Sequence, residues 1–150
     1  MKALYAVLLA LVLGLGCGKK PESPMVVPNK LIANPTVEKA IRKSLKKPTG
    51  QLTKADLEKV TALNLRFNQL TDVKGLEKLT QLKELGLSDN QLTEVPKGLE
   101  KLTQLKVLGL SDNQLTNVKG LEKLDQLTSL YLGGNKLTSM KGLEKLTQLR

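Results

Sequence analysis

The chain has 150 residues, 40% of them hydrophobic, with one cysteine, no histidine and a net charge of +10. These figures bound it to one domain and exclude Ser-His-Asp and Cys-His catalysis, together with any disulfide inside the chain. Aromatic residues make up 2%, too few to stack a row of bases, so nucleic acid is a poor partner despite the positive charge.

In chain order, Met1 and Lys2 are followed by ALYAVLLALVLGLG, an uncharged run that ends at Gly16 just before Cys17. It has the length of a signal-peptide core and falls short of the ~18 residues of a transmembrane span. Residues 1–16 are therefore expected to be a signal peptide. A small residue before a lone cysteine at the end of such a run resembles the bacterial lipobox, although Gly14 stands where that family usually has leucine. The resemblance implies export, acylation of Cys17 and a membrane anchor made of more than one acyl chain, which holds where a single chain is marginal. A short uncleaved anchor, or an ordinary signal peptide with an unmodified thiol, stays open as an alternative. Gly18 is not the aspartate that some bacteria use for inner-membrane retention, so the outer membrane or cell surface is the expected address. Residues 17–33 contain three prolines and few periodic apolar positions, and read as a tether.

Residues 34–56 are expected to cap the domain. Asn34 fits an N-cap, Pro35 the first helical position, and Val37, Ala40, Ile41 and Leu45 one apolar face of a helix over 34–47 that Pro48 and Gly50 stop. Thr53 and Asp56 match a capping box at the start of a second helix. Residues 17–56 hold nine Lys or Arg against three acids, and a basic segment beside an anchor can lie against anionic headgroups.

From residue 57 onward the sequence repeats. LGLSDNQLT occurs at 85–93 and again at 108–116, and Asn68, Asn90, Asn113 and Asn135 are spaced 22, 23 and 22 residues apart. Each asparagine closes the pattern L-x-x-L-x-L-x-x-N, with Val60 in the first unit's opening position. Leu70, Leu92, Leu115 and Leu137 keep step, as do Val73, Val95, Val118 and Met140. Such a period means stacked coils that bury each other's leucines. The single extra residue, Pro96, falls in the turn EVPKGLE and leaves the apolar register intact.

This pattern resembles the leucine-rich repeat family, of the short bacterial class, and the segment before it resembles the helical N-terminal cap of internalin-like members. The resemblance implies an α/β solenoid with a curved parallel sheet on the concave face and short helical or irregular turns on the convex face. Residues 57–150 would form four full units and a partial fifth. The four asparagines read as a structural ladder, since a buried amide can satisfy backbone groups that water cannot reach, and replacing Asn113 should damage folding more than selectivity.

In this family the residues flanking the inward leucines face the concave side, which implies rows Ala62, Asn64, Arg66; Glu84, Gly86, Ser88; Val107, Gly109, Ser111; and Ser129, Tyr131, Gly133. The expected ligand-binding residues are Asn64, Arg66, Glu84, Ser88, Val107, Ser111 and Tyr131, with Phe67 at the rim. Strands ~4.8 Å apart make a floor ~15 to 20 Å across, suited to a peptide or one edge of a protein. The competing reading makes Tyr131 a strand former and the glycines products of repeat duplication. On the opposite side the KGLEK units give columns of Lys74, Glu77 and Lys78 and their equivalents, expected to be a solvated face. Asp89 and Asp112 read as turn formers; two carboxylates fall short of a calcium site. Neither cofactor, metal nor enzymatic activity is expected. LTQLR at 146–150 opens a further unit, so the last strand's edge would be unpaired, which suggests either a longer natural chain or self-association at this end.

Overall fold

A computed structural model describes residues 30–150; the expected signal peptide, Cys17 and most of the expected tether lie outside the described residues. Two helices, α1 (Pro35–Ser44) and α2 (Lys54–Leu57), precede four three-residue strands, β1 (Ala62–Asn64), β2 (Glu84–Gly86), β3 (Val107–Gly109) and β4 (Ser129–Tyr131). The strands form one parallel sheet in sequential order, with Leu63, Leu85, Leu108 and Leu130 in register. Between strands the chain crosses the convex side through 3₁₀ turns at Leu76–Lys78, Leu99–Lys101, Leu121–Lys123 and Leu143–Lys145. The result is a solenoid of stacked coils, with the parallel sheet on one face and the 3₁₀ turns on the other.

The cap begins earlier, and its helix ends sooner, than the sequence suggests. Ile32 is 1% exposed, and a side chain at Gly75 would come within 3.2 Å of its Cα, so the packed unit includes residues placed in the tether. Asn34 accepts from the Thr36 and Val37 amides at 2.9 and 3.2 Å while its own amide donates to the Asp72 carbonyl at 3.0 Å, capping α1 and joining it to the next coil. Pro48 bars Lys47 from helical geometry. The chain responds with Lys46 in the left-handed region (φ 53°), its amide bonded to Lys43 and that of Lys47 to Arg42, so the helix closes at Ser44 and not at 47. Val37 and Ile41 are buried, and Leu63 and Leu65 lie covered beneath the cap.

At α2 the Thr53 hydroxyl accepts from the Asp56 amide at 3.2 Å, and the Asp56 carboxylate accepts from the Thr53 amide at 2.9 Å. Lys47, 2.7 Å away, and then Thr53 hold the Asp56 carboxyl well below the usual carboxylate range. A depressed folded pKa gives stability that is fully present above the unfolded value of 3.8 and lost as the pH falls below it. Asp56→Asn is therefore expected to flatten the pH dependence of unfolding free energy below about pH 4, as read from urea titrations at successive pH values.

The asparagine ladder accounts for the period. The Asn90 amide donates to the Leu65 and Leu87 carbonyls at 2.9 Å each and accepts from the Leu70 amide at 2.9 Å. Asn113 repeats this with Leu87, Leu110 and Leu92, and Asn135 with Leu110, Leu132 and Leu115. Asn68 departs from the set: it is exposed and its side chain donates only to the Arg66 carbonyl, because the cap on its outer side presents helix and not another coil. Met140 likewise departs from Val73, Val95 and Val118: it is exposed where they are buried.

The convex glutamates are more than solvated charges. Each 3₁₀ turn follows a left-handed glycine whose amide donates to the glutamate two residues on, from Gly75 to Glu77 at 2.9 Å through Gly142 to Glu144 at 2.6 Å. Hydrogen bonds from their own amides, then from the glycines, lower the pKa values of Glu122 and Glu144. At Gly98 (φ 93°) a Cβ would stand 2.7 Å from that of Glu77, so the coils approach there as only glycine permits.

Candidate functional site

Register puts Ala62, Glu84, Val107 and Ser129 in one column of the concave face and Asn64, Gly86, Gly109 and Tyr131 in the next. The ladder runs on past the strands through the Leu65, Leu87 and Leu110 amides, which sets Arg66, Ser88, Ser111 and Gly133 in a third column. All of these but Ser129 and Gly133 line an open hollow of about 640 Å³, and Asn64, Arg66, Glu84, Ser88, Val107, Ser111 and Tyr131 all border it.

Its contents differ from a simple polar floor. Arg66 lies across the sheet: a Cβ on Gly86 would stand 3.3 Å from its Cγ, and its guanidinium meets the Asp89 carboxylate of the following coil at 3.2 Å. The same guanidinium lies 5.2 Å from the centroid of the Phe67 ring, within cation–π range. Asn64 accepts from the Arg66 amide at 3.0 Å and so fixes the start of this arrangement. Ser88, expected as a surface contact, is only 6% exposed; its hydroxyl sits over Gly109, 3.1 Å from where a Cβ would be. Glu84 is exposed, Val107 and Ser111 are half-buried, and Tyr131 is 57% exposed at the far edge.

Phe67 stands out on backbone grounds. Phe67, Asp89, Asp112 and Gly134 occupy the same place in successive coils, and all are left-handed, with φ of 59°, 58°, 53° and 67°. Aspartate and glycine tolerate that conformation; a phenylalanine pays roughly 1–2 kcal/mol for it. The ring recovers nothing by burial, being 73% exposed.

Neither the Arg66–Asp89 pair nor the strain at Phe67 follows from the repeat pattern alone. The first was accessible from the register, since Asp89 follows Ser88, the neighbour of Arg66. The second needs the backbone angles. Asp89 is thus a turn former and an ion-pair partner at once. Among the described residues, no group of three or more potential ligands could hold a metal ion, and no helix is long and apolar enough to cross a membrane. What the hollow offers is hydrogen bonding, one ion pair and exposed aromatic surface, the means of recognition.

A family model described as leucine rich repeat matches residues 80–137, and another, of two leucine rich repeat copies, matches 58–101. No curated protein matches the chain. Among solved structures, an internalin from Listeria monocytogenes is 28% identical over 81% of this chain and 36% of its own, with a TM-score of 0.75. The leucine-rich repeat ectodomain of the receptor kinase SOBIR1 from Arabidopsis thaliana is 34% identical over 58% of this chain and 51% of its own, with a TM-score of 0.51. A leucine-rich repeat protein of Leptospira interrogans is 29% identical over 67% of this chain and 27% of its own, with a TM-score of 0.55. The chain spans about a third of the internalin's length, half of the ectodomain's and a quarter of the Leptospira protein's.

Proposed function

We propose, since the chain is a leucine-rich repeat protein across the residues 58–137 that the two family models span, that its concave face binds another protein or peptide. The observation that carries this reading is Phe67, an exposed aromatic at a left-handed position that sister coils fill with aspartate or glycine, at a cost its ring does not recover by burial. Strain that buys no stability points to function. Arg66 borders one end of the hollow and Tyr131 the other, and Phe67, 5.2 Å from the Arg66 guanidinium, lines the adjoining depression beside α1; aromatic residues and arginine are the types that dominate interface energetics. Between them the Arg66 side chain runs over Gly86 and the Ser88 hydroxyl over Gly109, which the absence of a Cβ at each permits. The lipobox resemblance at Cys17 adds an anchor, so the module would act at the outer membrane or cell surface as a non-catalytic lipoprotein.

Capture from the native cell envelope tests this, with the wild-type chain set beside an Arg66→Glu, Tyr131→Ala variant whose circular dichroism is unchanged. The partner is expected to fall at least tenfold with the variant, the loss of about 1.4 kcal/mol or more that removing two interface anchors produces. Equal recovery by both chains would remove the concave face from consideration.

One observation favours a second reading, self-association through the last coil. Leu130, Leu132, Leu137 and Leu149 are only partly buried there, and the outer edge of β4 has no neighbouring strand among the described residues. Leu146 is already buried, so the informative substitution is Leu149→Glu. It should abolish a concentration-dependent dimer in sedimentation velocity if this reading holds.

A further inference from the structure

We propose that the outward face of α1 docks on anionic lipid headgroups, an inference independent of the concave-face reading. The apolar side of α1 buries Val37 and Ile41 against the first coil, which leaves Lys39 and Lys43, one helical turn apart, and Lys46 facing away from the core. With Arg42, Pro35 and Pro48 they border a shallow hollow of about 630 Å³. The acids here are already committed: Glu38 accepts from Lys30 at 3.0 Å and Arg42 at 2.9 Å, and Asp56 from Lys47 at 2.7 Å. Lys39, Lys43 and Lys46 make no ion pair among the described residues.

The imbalance is local. Residues 30–56 carry seven basic side chains against two acidic ones, whereas the 94 residues of 57–150 carry fourteen against eleven, their lysines interleaved with glutamates. Protein interfaces deplete lysine and favour aromatic anchors, and this hollow has lysine stems and no aromatic side chain. Lysine is a flexible point charge suited to a field of phosphates. The chain also enters the cap on this side, at Lys30 bonded to Glu38, with the uncharged run of residues 3–16 and Lys19–Lys20 preceding it in sequence. Each such lysine near an anionic leaflet favours association roughly fivefold, so three give on the order of a hundredfold, enough to orient a chain already held close. α1 would then form the base, with the coils extending away from the membrane and the concave face open at its side.

The test is lysine footprinting of the full chain on vesicles containing phosphatidylglycerol and on vesicles of phosphatidylcholine alone, by acylation and mass spectrometry, with convex Lys119 and Lys141 as internal references. The expected result is several-fold slower acylation of Lys39, Lys43 and Lys46 on the anionic vesicles only, reversed in high salt, with Lys119 and Lys141 unchanged. Acylation of Cys17 is not required, so a Cys17→Ser chain should behave identically. Equal rates for the α1 lysines on both vesicles, slowing shared with the convex lysines, or failure of the chain to associate with the anionic vesicles would each overturn the proposal.

Discussion

Asn113→Ala is expected to lower the free energy of unfolding by about 2 to 4 kcal/mol, while Asn68→Ala changes it by less than about 0.5. The two positions are equivalent in the repeat, so sequence alone assigns them equal weight. Their surroundings differ. Asn113 accepts from the Leu92 amide at 3.0 Å and donates to the Leu87 and Leu110 carbonyls at 3.0 and 3.1 Å, in a site closed to water by coils on both sides. Alanine leaves the Leu92 amide without its acceptor and opens a void where the amide stood. The carbonyls suffer less, because Asn90 also donates to Leu87 and Asn135 to Leu110. The Asn68 side chain makes one bond within its own turn and faces solvent, which replaces what is lost. Urea titration of both variants, at matched m-values, measures the difference.

Leu110→Ala is expected to cost about 2 to 5 kcal/mol, and Leu132→Ala, at the equivalent position one coil later, distinctly less. Leu110 is fully buried, with Leu87 and Leu132 in the flanking coils, so its removal leaves a cavity that neither neighbour can close. Leu132 is only partly buried, and truncating it surrenders less contact. In a solenoid each coil is stabilised by its neighbours alone, so damage in the middle uncouples two halves while damage in the last coil frays one. Thermal unfolding should accordingly show a larger fall in midpoint for Leu110→Ala, with a broadened transition.

The parts of the fold that were legible in the sequence are those where one physical demand recurs. Leucines needed in every coil, and an amide needed at every turn, leave a period that can be counted. The cap was legible through Asn34, Pro35, Thr53 and Asp56, whose capping chemistry is local. Its boundaries were less so, because Ile32 packs against a turn some forty residues away and Lys46 takes a conformation that Pro48 imposes indirectly. On the concave face the rows were readable from register, but their state was not. Whether Ser88 faces solvent depends on the coil beside it, and the pairing of Arg66 with Asp89 depends on Gly86 leaving the path clear. Phe67 is legible in the sequence as a rim residue beside Arg66, but its strain emerges only when its backbone is set beside those of Asp89, Asp112 and Gly134.

That comparison supplies the most direct test of the binding account, since Asp is what two sister coils carry where this one has Phe67. Capture of the envelope partner by a Phe67→Asp chain separates function from fold, because the substitution relieves strain and should raise stability by about 1 kcal/mol. If the concave face binds through Phe67 and Arg66, the better-folded variant recovers at least tenfold less partner than the wild-type chain. Recovery at the wild-type level would contradict the account and leave the strained phenylalanine without a role in recognition.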